Sequence, residues 1–159
     1  MAILTSSMQL TRAADYAVRV MIHLASQPEE HRSLLPALAK ATDVPSSFLS
    51  KVLQTLGRAG MVTSRRGQQG GFEILPKGRA ASIREVVEAV DGPINLNVCL
   101  IHGKGCDRSS WCPAHTVWSD AQSAMLAVLN ASTITDLAGH PVRSNLTRTS
   151  QDADPFRTI

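Results

Sequence analysis

Residues 35–75 read LPALAKATDVPSSFLSKVLQTLGRAGMVTSRRGQQGGFEIL, from Leu35 to Leu75. Leu35, Leu38 and Ala39 recur at helical spacing and predict a short helix running to Ala41. Thr42-Asp43-Val44-Pro45 reads as a tight turn. Ser46 then reads as an N-cap, and Phe48, Leu49, Val52, Leu53 and Leu56 form the apolar stripe of a further helix, closed by Gly57 or Gly60. Two helices across a tight turn make a helix-turn-helix. Met61-Val62-Thr63 reads as a strand, Ser64 to Gly71 as a basic, glycine-rich loop, and Phe72 to Leu75 as the returning strand. A hairpin directly after a helix-turn-helix predicts a winged helix. A short basic hairpin on its own is as readily a solvated surface feature; its position after the helix pair turns it into a DNA-contacting wing.

That pattern nominates contacts. Ser46, Ser47, Ser50, Lys51 and Gln54 project opposite the apolar stripe and are expected in a major groove. Arg65, Arg66, Gly67, Gln68 and Gln69 form the wing tip. Its guanidinium groups suit phosphates or a minor groove, and its glycine lets backbone approach the duplex. The net charge of +3 permits such a partner without demanding it.

Outward from this stretch, Thr11 caps a helix whose face carries Tyr16, Ala17, Val20, Met21 and Leu24 and which ends near Gln27-Pro28. Ser82 caps another, Ile83 to Val90, stopped by Asp91-Gly92-Pro93. A long helix is expected from Pro113 or Ala114 to about Asn130, with Val117, Ala121, Ala124 or Met125, and Val128 on one face and Trp118 and Leu129 extending it. A helix this long on a small domain has surplus apolar surface, for which a two-fold partner helix is the natural cover. Thr133 to Leu137 reads as a short capped turn. The fold class is therefore mainly α, a winged helix-turn-helix with a small hairpin wing and a long C-terminal dimerisation helix. The expected organisation is a flexible leader over 1–9, the DNA-binding domain over 10–80, a cysteine sensor loop and dimerisation helix over 81–138, and a disordered tail over 139–159. Apolar residues at 43% and charged ones at 18% describe a globular chain. No apolar run reaches a membrane span and no signal-peptide layout is seen, so membrane partners are not expected and a cytoplasmic location is.

The remaining motif is CLIHGKGCDRSSWCPAH, from Cys99 to His115. It holds all three cysteines of the chain, Cys99, Cys106 and Cys112. An odd, clustered set is a poor disulfide framework but a good soft-ligand set, needing one more donor to hold a metal or an iron–sulfur group. The intervening Gly, Lys, Asp and Ser residues are loop chemistry, which suits a pocket better than three buried core thiols. Tetrahedral zinc would accept three thiolates and His115 as well, and a simple thiol switch needs no metal. His102 lies in the same loop, and Trp111 and Trp118 are placed to shield it. An enzyme is not expected, since neither a phosphate-binding glycine motif nor a paired acid–base constellation is present.

The order of these motifs closely resembles the Rrf2 family of bacterial transcription regulators. The resemblance spans about residues 8–138. It is carried by Leu10-Thr11 with Asp15-Tyr16-Ala17-Val18-Arg19, Phe48-Leu49 to Gly60, Arg66-Gly67 to Gly70-Gly71, Val90-Asp91-Gly92-Pro93, the cysteine trio and Thr133-Ile134-Thr135-Asp136-Leu137. It implies a homodimeric regulator, a repressor, that binds double-stranded operator DNA, takes no small-molecule substrate, and senses iron, redox state or nitric oxide through an iron–sulfur cluster. One branch of the family holds a 2Fe–2S cluster with three cysteines and a histidine, matching Cys99, Cys106, Cys112 and His115. Another supplies a carboxylate from the first helix of the partner subunit, matching Asp15. A 2Fe–2S cluster with His115 is expected, with 4Fe–4S and Asp15 as the alternatives, because six residues separate the first two cysteines, one more than the histidine branch has.

Overall fold

In the computed structural model, residues 10–67, 70–101 and 106–139 are described. Helix α1, Arg12–Ser26, is capped by Thr11, whose hydroxyl accepts the Ala14 N–H at 3.2 Å. It buries Ala17, Val20, Met21 and Leu24 as their spacing predicts, adds Ala14, and leaves Tyr16 half buried at the edge of that face. Helices α2 (Leu35–Thr42) and α3 (Ser46–Arg58) cross beneath it. The turn between them is closed by Asp43 in the left-handed region at φ 54°, a conformation that short polar side chains tolerate. Val44 then drops into the core at 3% exposure.

Two local expectations need correction. Pro45, not Ser46, is the residue before α3, and Ser46 opens the helix without a side-chain cap; proline already holds the φ needed there. Phe48 does not join the buried stripe of Leu49, Val52, Leu53 and Leu56 but stays half exposed, edge-on to Tyr16 at 6.1 Å. It sits one residue, about 100°, round the helix from Leu49, at the border of the buried face.

The wing is antiparallel, β1 (Val62–Arg65) against β2 (Gly71–Ile74), with Val62 opposite Ile74 and Arg65 opposite Gly71. Strand pairing therefore runs two residues further into the basic stretch than the sequence suggests. The hairpin is stitched to the body by Ser33, whose N–H and C=O exchange bonds with Phe72 at 3.0 and 2.9 Å. Beside it the Arg32 guanidinium meets the Glu73 carboxylate at 3.2 Å. Nothing in the sequence around Ser33 announces this third strand position.

Helix α4, Pro76–Ala80, is too short for periodicity to reveal. Its Arg79 donates to the carbonyls of Ala25 and Gln27 and so finishes the C-terminus of α1. Helix α5, Ile83–Asp91, starts at a capping box between Ser82 and Glu85 and buries Val86 and Val87 against α1. Helix α6, Pro113–Asn130, lies along α5, and α7, Ile134–Ala138, returns to α1 through the fully buried Ile134.

The long helix settles which of its faces packs. His115, Ser119, Gln122, Leu126 and Leu129 are the half-buried stripe at spacings of four and three. Of the apolar face marked out in the sequence, Met125 and Leu129 are half buried, whereas Val117 and Val128 stay outside at 64% and 73% exposure in the single chain. No described helix is long and apolar enough to cross a membrane.

Candidate nucleic-acid interface and cysteine site

On the outer face of α3, Ser46, Ser47, Lys51 and Gln54 are exposed, opposite the buried stripe. Ser50 is half buried and its hydroxyl donates to the Ser46 carbonyl at 3.1 Å. Between α3 and the wing runs a groove of about 680 Å³ lined by Ser50, Gln54, Arg58, Thr63, Ser64 and Arg66, with Leu53, Val62 and Phe72 at its floor. No acidic side chain is among its lining residues. Two guanidinium groups facing a groove that carboxylates do not offset favour a polyanion. Sequence reasoning missed Arg58, although its spacing of four from Gln54 places it on the same face. Arg65 and Arg66 are exposed, Arg65 as the last residue of β1 and Arg66 at the tip, where Gly67 at φ 107° starts the turn. Gln68 and Gln69 lie outside the described residues.

The second site is built from two segments. A single 3₁₀ turn, Val98–Leu100, carries Cys99, and Asn97 caps it by accepting the Val98 N–H at 2.7 Å. Cys112 is the residue before α6, where Pro113 sets the first helical φ, and the Cys112 carbonyl accepts the His115 N–H at 3.0 Å. Cys106 enters from the turn between them. The three thiols and the His115 ring line one cavity of about 420 Å³, closed by Asn97, Val98, Arg108, Ser109 and Trp118. All three cysteines are free and half buried. Softness and charge fit a metal or iron–sulfur group: three potential thiolates, one imidazole, and no carboxylate lining the cavity. The donors share a cavity without converging, for among the described residues no three His, Cys, Asp or Glu side chains are placed to hold a single metal ion.

Trp118 does line this cavity, whereas Trp111 stands away from it at 67% exposure with the Arg108 guanidinium 5.9 Å over its ring. His102 lies outside the described residues. Asp15 does not line the cysteine cavity of its own chain. It pairs with Arg19 at 2.7 Å, one turn along α1, and Arg19 in turn lies 6.0 Å over the Tyr16 ring.

A winged helix-turn-helix with a cation-lined groove, joined through α5 to a pocket of thiols, is the architecture of a DNA-binding transcriptional regulator. The Rrf2 family model, described as an iron-dependent transcriptional regulator, matches residues 10–140, and the chain belongs to that family. The regulator NsrR of Geobacillus kaustophilus is 31% identical over 131 residues, covering 82% of this chain and 89% of that protein. The regulator IscR of Vibrio cholerae is 32% identical over 131 residues, covering 82% and 75%. Among solved structures, CymR, the global cysteine regulator of B. subtilis, superposes with a TM-score of 0.66 at 24% identity over 82% of this chain and 95% of that one, which shows the shared fold. These relatives are transcriptional regulators, a non-enzymatic role, and transcriptional regulation is the role of this chain.

Proposed function

We propose that the chain acts as a homodimeric repressor that senses iron supply, redox state or nitric oxide through an iron–sulfur cluster held by Cys99, Cys106, Cys112 and His115. The observation that carries this reading is the single cavity into which all four donors are brought from two separate segments. The names of the relatives NsrR and IscR, and the iron dependence in the family's description, support it. Held by these four residues, such a group would supply a redox- and ligand-sensitive charge between the 3₁₀ turn and the start of α6. The chain's own residues do the rest. Cys99 on the 3₁₀ turn and Cys106, Cys112 and His115 toward the start of α6 would hold the group, so a loaded site would tie those two segments together.

Helix α5, on which α6 packs, links those segments to the DNA-binding half. It packs on α1, and its last residue, Asp91, accepts from the Thr11 hydroxyl at 2.6 Å and from the Thr11 N–H at 3.2 Å. Residues 10–80 thus read the operator and 81–138 sense, with the exposed Val117 and Val128 stripe covered by the same helix of a second copy. In that dimer Ser46, Ser47, Ser50, Lys51 and Gln54 of each protomer enter a major groove, while Arg65, Arg66 and Arg58 neutralise phosphates.

Anaerobic purification with iron and sulfide counting and visible spectroscopy tests the cluster. A coloured protein that loses its chromophore on Cys99→Ala, Cys106→Ala or Cys112→Ala is the expected result. His115→Ala should shift the spectrum and Asp15→Ala should not; the reverse pattern moves the fourth ligand to the partner's first helix. A colourless protein holding zinc, or reduced thiols alone, would refute the cluster and leave a zinc or thiol switch on the same fold. Sensing further requires loaded and cluster-free forms to differ in affinity for at least one operator by at least about fivefold.

A further inference from the structure

Gln122 is not among the residues that line the cysteine cavity, yet it ties together the two segments that build it. It stands on α6 seven residues after His115, two turns along the same half-buried stripe. Its Oε1 accepts the Leu96 N–H at 2.8 Å, a contact across 26 residues of chain. Leu96 lies three residues before Cys99, and the residue following Leu96 is Asn97, the cap of the turn that carries Cys99. The segment from Gly92 to Asn97 pairs with no strand, so its course is set by side chains reaching its backbone. Upstream, Glu88 Oε1 accepts the Ile94 N–H at 3.2 Å and anchors it to α5. Gln122 alone, among the described residues, gives it a hydrogen-bonded anchor on α6, the helix whose first turn presents Cys112 and His115.

We propose that Gln122 is a positioning residue for the cysteine site, fixing how far Cys99 stands from Cys112 and His115. The proposal rests on the reading that these donors hold a cluster. Metal-site geometry tolerates only about 0.5 Å of misplacement before binding weakens. A loop that must bring one thiol from a strap and another from a helix end would lose that precision if the strap slid along the helix. The hydrogen bond closes the loop at its base, shortening the stretch whose ends must be held together to the residues between Leu96 and Cys112. An amide at 122 suits this role: its oxygen accepts from a half-buried backbone N–H.

Gln122→Leu keeps the side-chain bulk but removes the acceptor, and Gln122→Glu keeps an oxygen in reach of Leu96. After anaerobic reconstitution, the leucine variant should release iron to a chelator on the order of tenfold faster than wild type, as loss of a supporting partner around a metal site generally does. Its visible circular dichroism should change as well, and the glutamate variant should restore both. A second arm needs no cluster. In a Cys106→Ser background, a short bis-maleimide should bridge Cys99 to Cys112 within one chain less completely when residue 122 is Leu. Gln122→Asn retains the amide but falls one methylene short, and serves both arms should the leucine variant not fold. Wild-type release and wild-type bridging in these variants would overturn the proposal. A wild-type protein that takes up no iron would instead refute the cluster, leaving the bridging arm to decide on Gln122 by itself.

Discussion

Gly71→Ala probes how the wing is held. Gly71 is the first residue of β2, with φ at 137°, a region that L side chains rarely adopt. A Cβ built there would meet the Ser33 carbonyl oxygen at 2.9 Å, its carbon at 3.1 Å and the Arg32 Cβ at 3.2 Å. All three contacts belong to the segment that pairs with β2 through Phe72, so relief requires that pairing to open. The backbone strain costs about 1–3 kcal/mol. Overpacking against a fixed carbonyl adds about 1–3 kcal/mol. A loss of roughly 2–6 kcal/mol out of a domain stability of about 5–15 kcal/mol lowers the melting midpoint by about 4–24 °C.

Gly67→Ala is the control. Gly67 also has a positive φ, 107°, but nothing lies within 4 Å of its Cβ, so only the strain applies. The gap between the two midpoints, read by scanning calorimetry, isolates the clash with Ser33. Because opening that pairing releases the wing, Gly71→Ala should also lose operator affinity in a fluorescence-anisotropy titration at fixed salt, and more than Gly67→Ala does. If Gly71→Ala melts with Gly67→Ala and binds operator like wild type, the docking of the wing through Ser33 is wrong.

The Arg65→Ala, Arg66→Ala double variant should weaken operator binding across sequences and lower the slope of log affinity against log salt by about two units, roughly one per phosphate contact; an unchanged affinity would count decisively against the wing. Val117→Glu combined with Val128→Glu should sediment as a folded monomer, since the two exposed valines carry the face proposed to meet a second copy; a dimer of undiminished affinity would place the interface elsewhere. Burial, with the charge of His31 adding to it, holds His23 below its ordinary value of 6.5. In the window just below pH 6.5 the unfolded chain therefore binds more protons than the folded one, so stability falls as the pH drops through it. Melting curves from pH 7.5 to 5.5 should show that loss in wild type and less of it in His23→Gln, and identical pH dependence would remove His23 from the account.

The helix-turn-helix was legible because its helices bury one face each, and burial of one face writes a period of three and four into Leu49, Val52, Leu53 and Leu56. Caps were legible where a hydroxyl does the capping, as at Thr11, Ser82 and Thr133. The cysteine trio stood out because all three thiols of the chain fall within fourteen residues of a stretch rich in Gly, Ser and charged residues. The wing was readable as a hairpin, but its hold on Ser33 was not: backbone pairing across 39 residues uses N–H and C=O groups that every residue possesses and leaves no mark on composition.

The faces of α6 show the same division. The helix from Pro113 to Asn130 and its apolar face through Val117 and Val128 were legible in the sequence. Which residues turn toward the body was decided only in three dimensions. Gln122 reaches Leu96 and the Ser82 hydroxyl meets Asn130 at 3.0 Å, and these two polar contacts turn His115, Gln122 and Leu129 inward and leave Val117 and Val128 outside. Local periodicity records that a helix has sides. The partner each side meets depends on where distant backbone groups fall, and hydrogen bonds between residues 26 and 48 apart have no signature in the order of the chain.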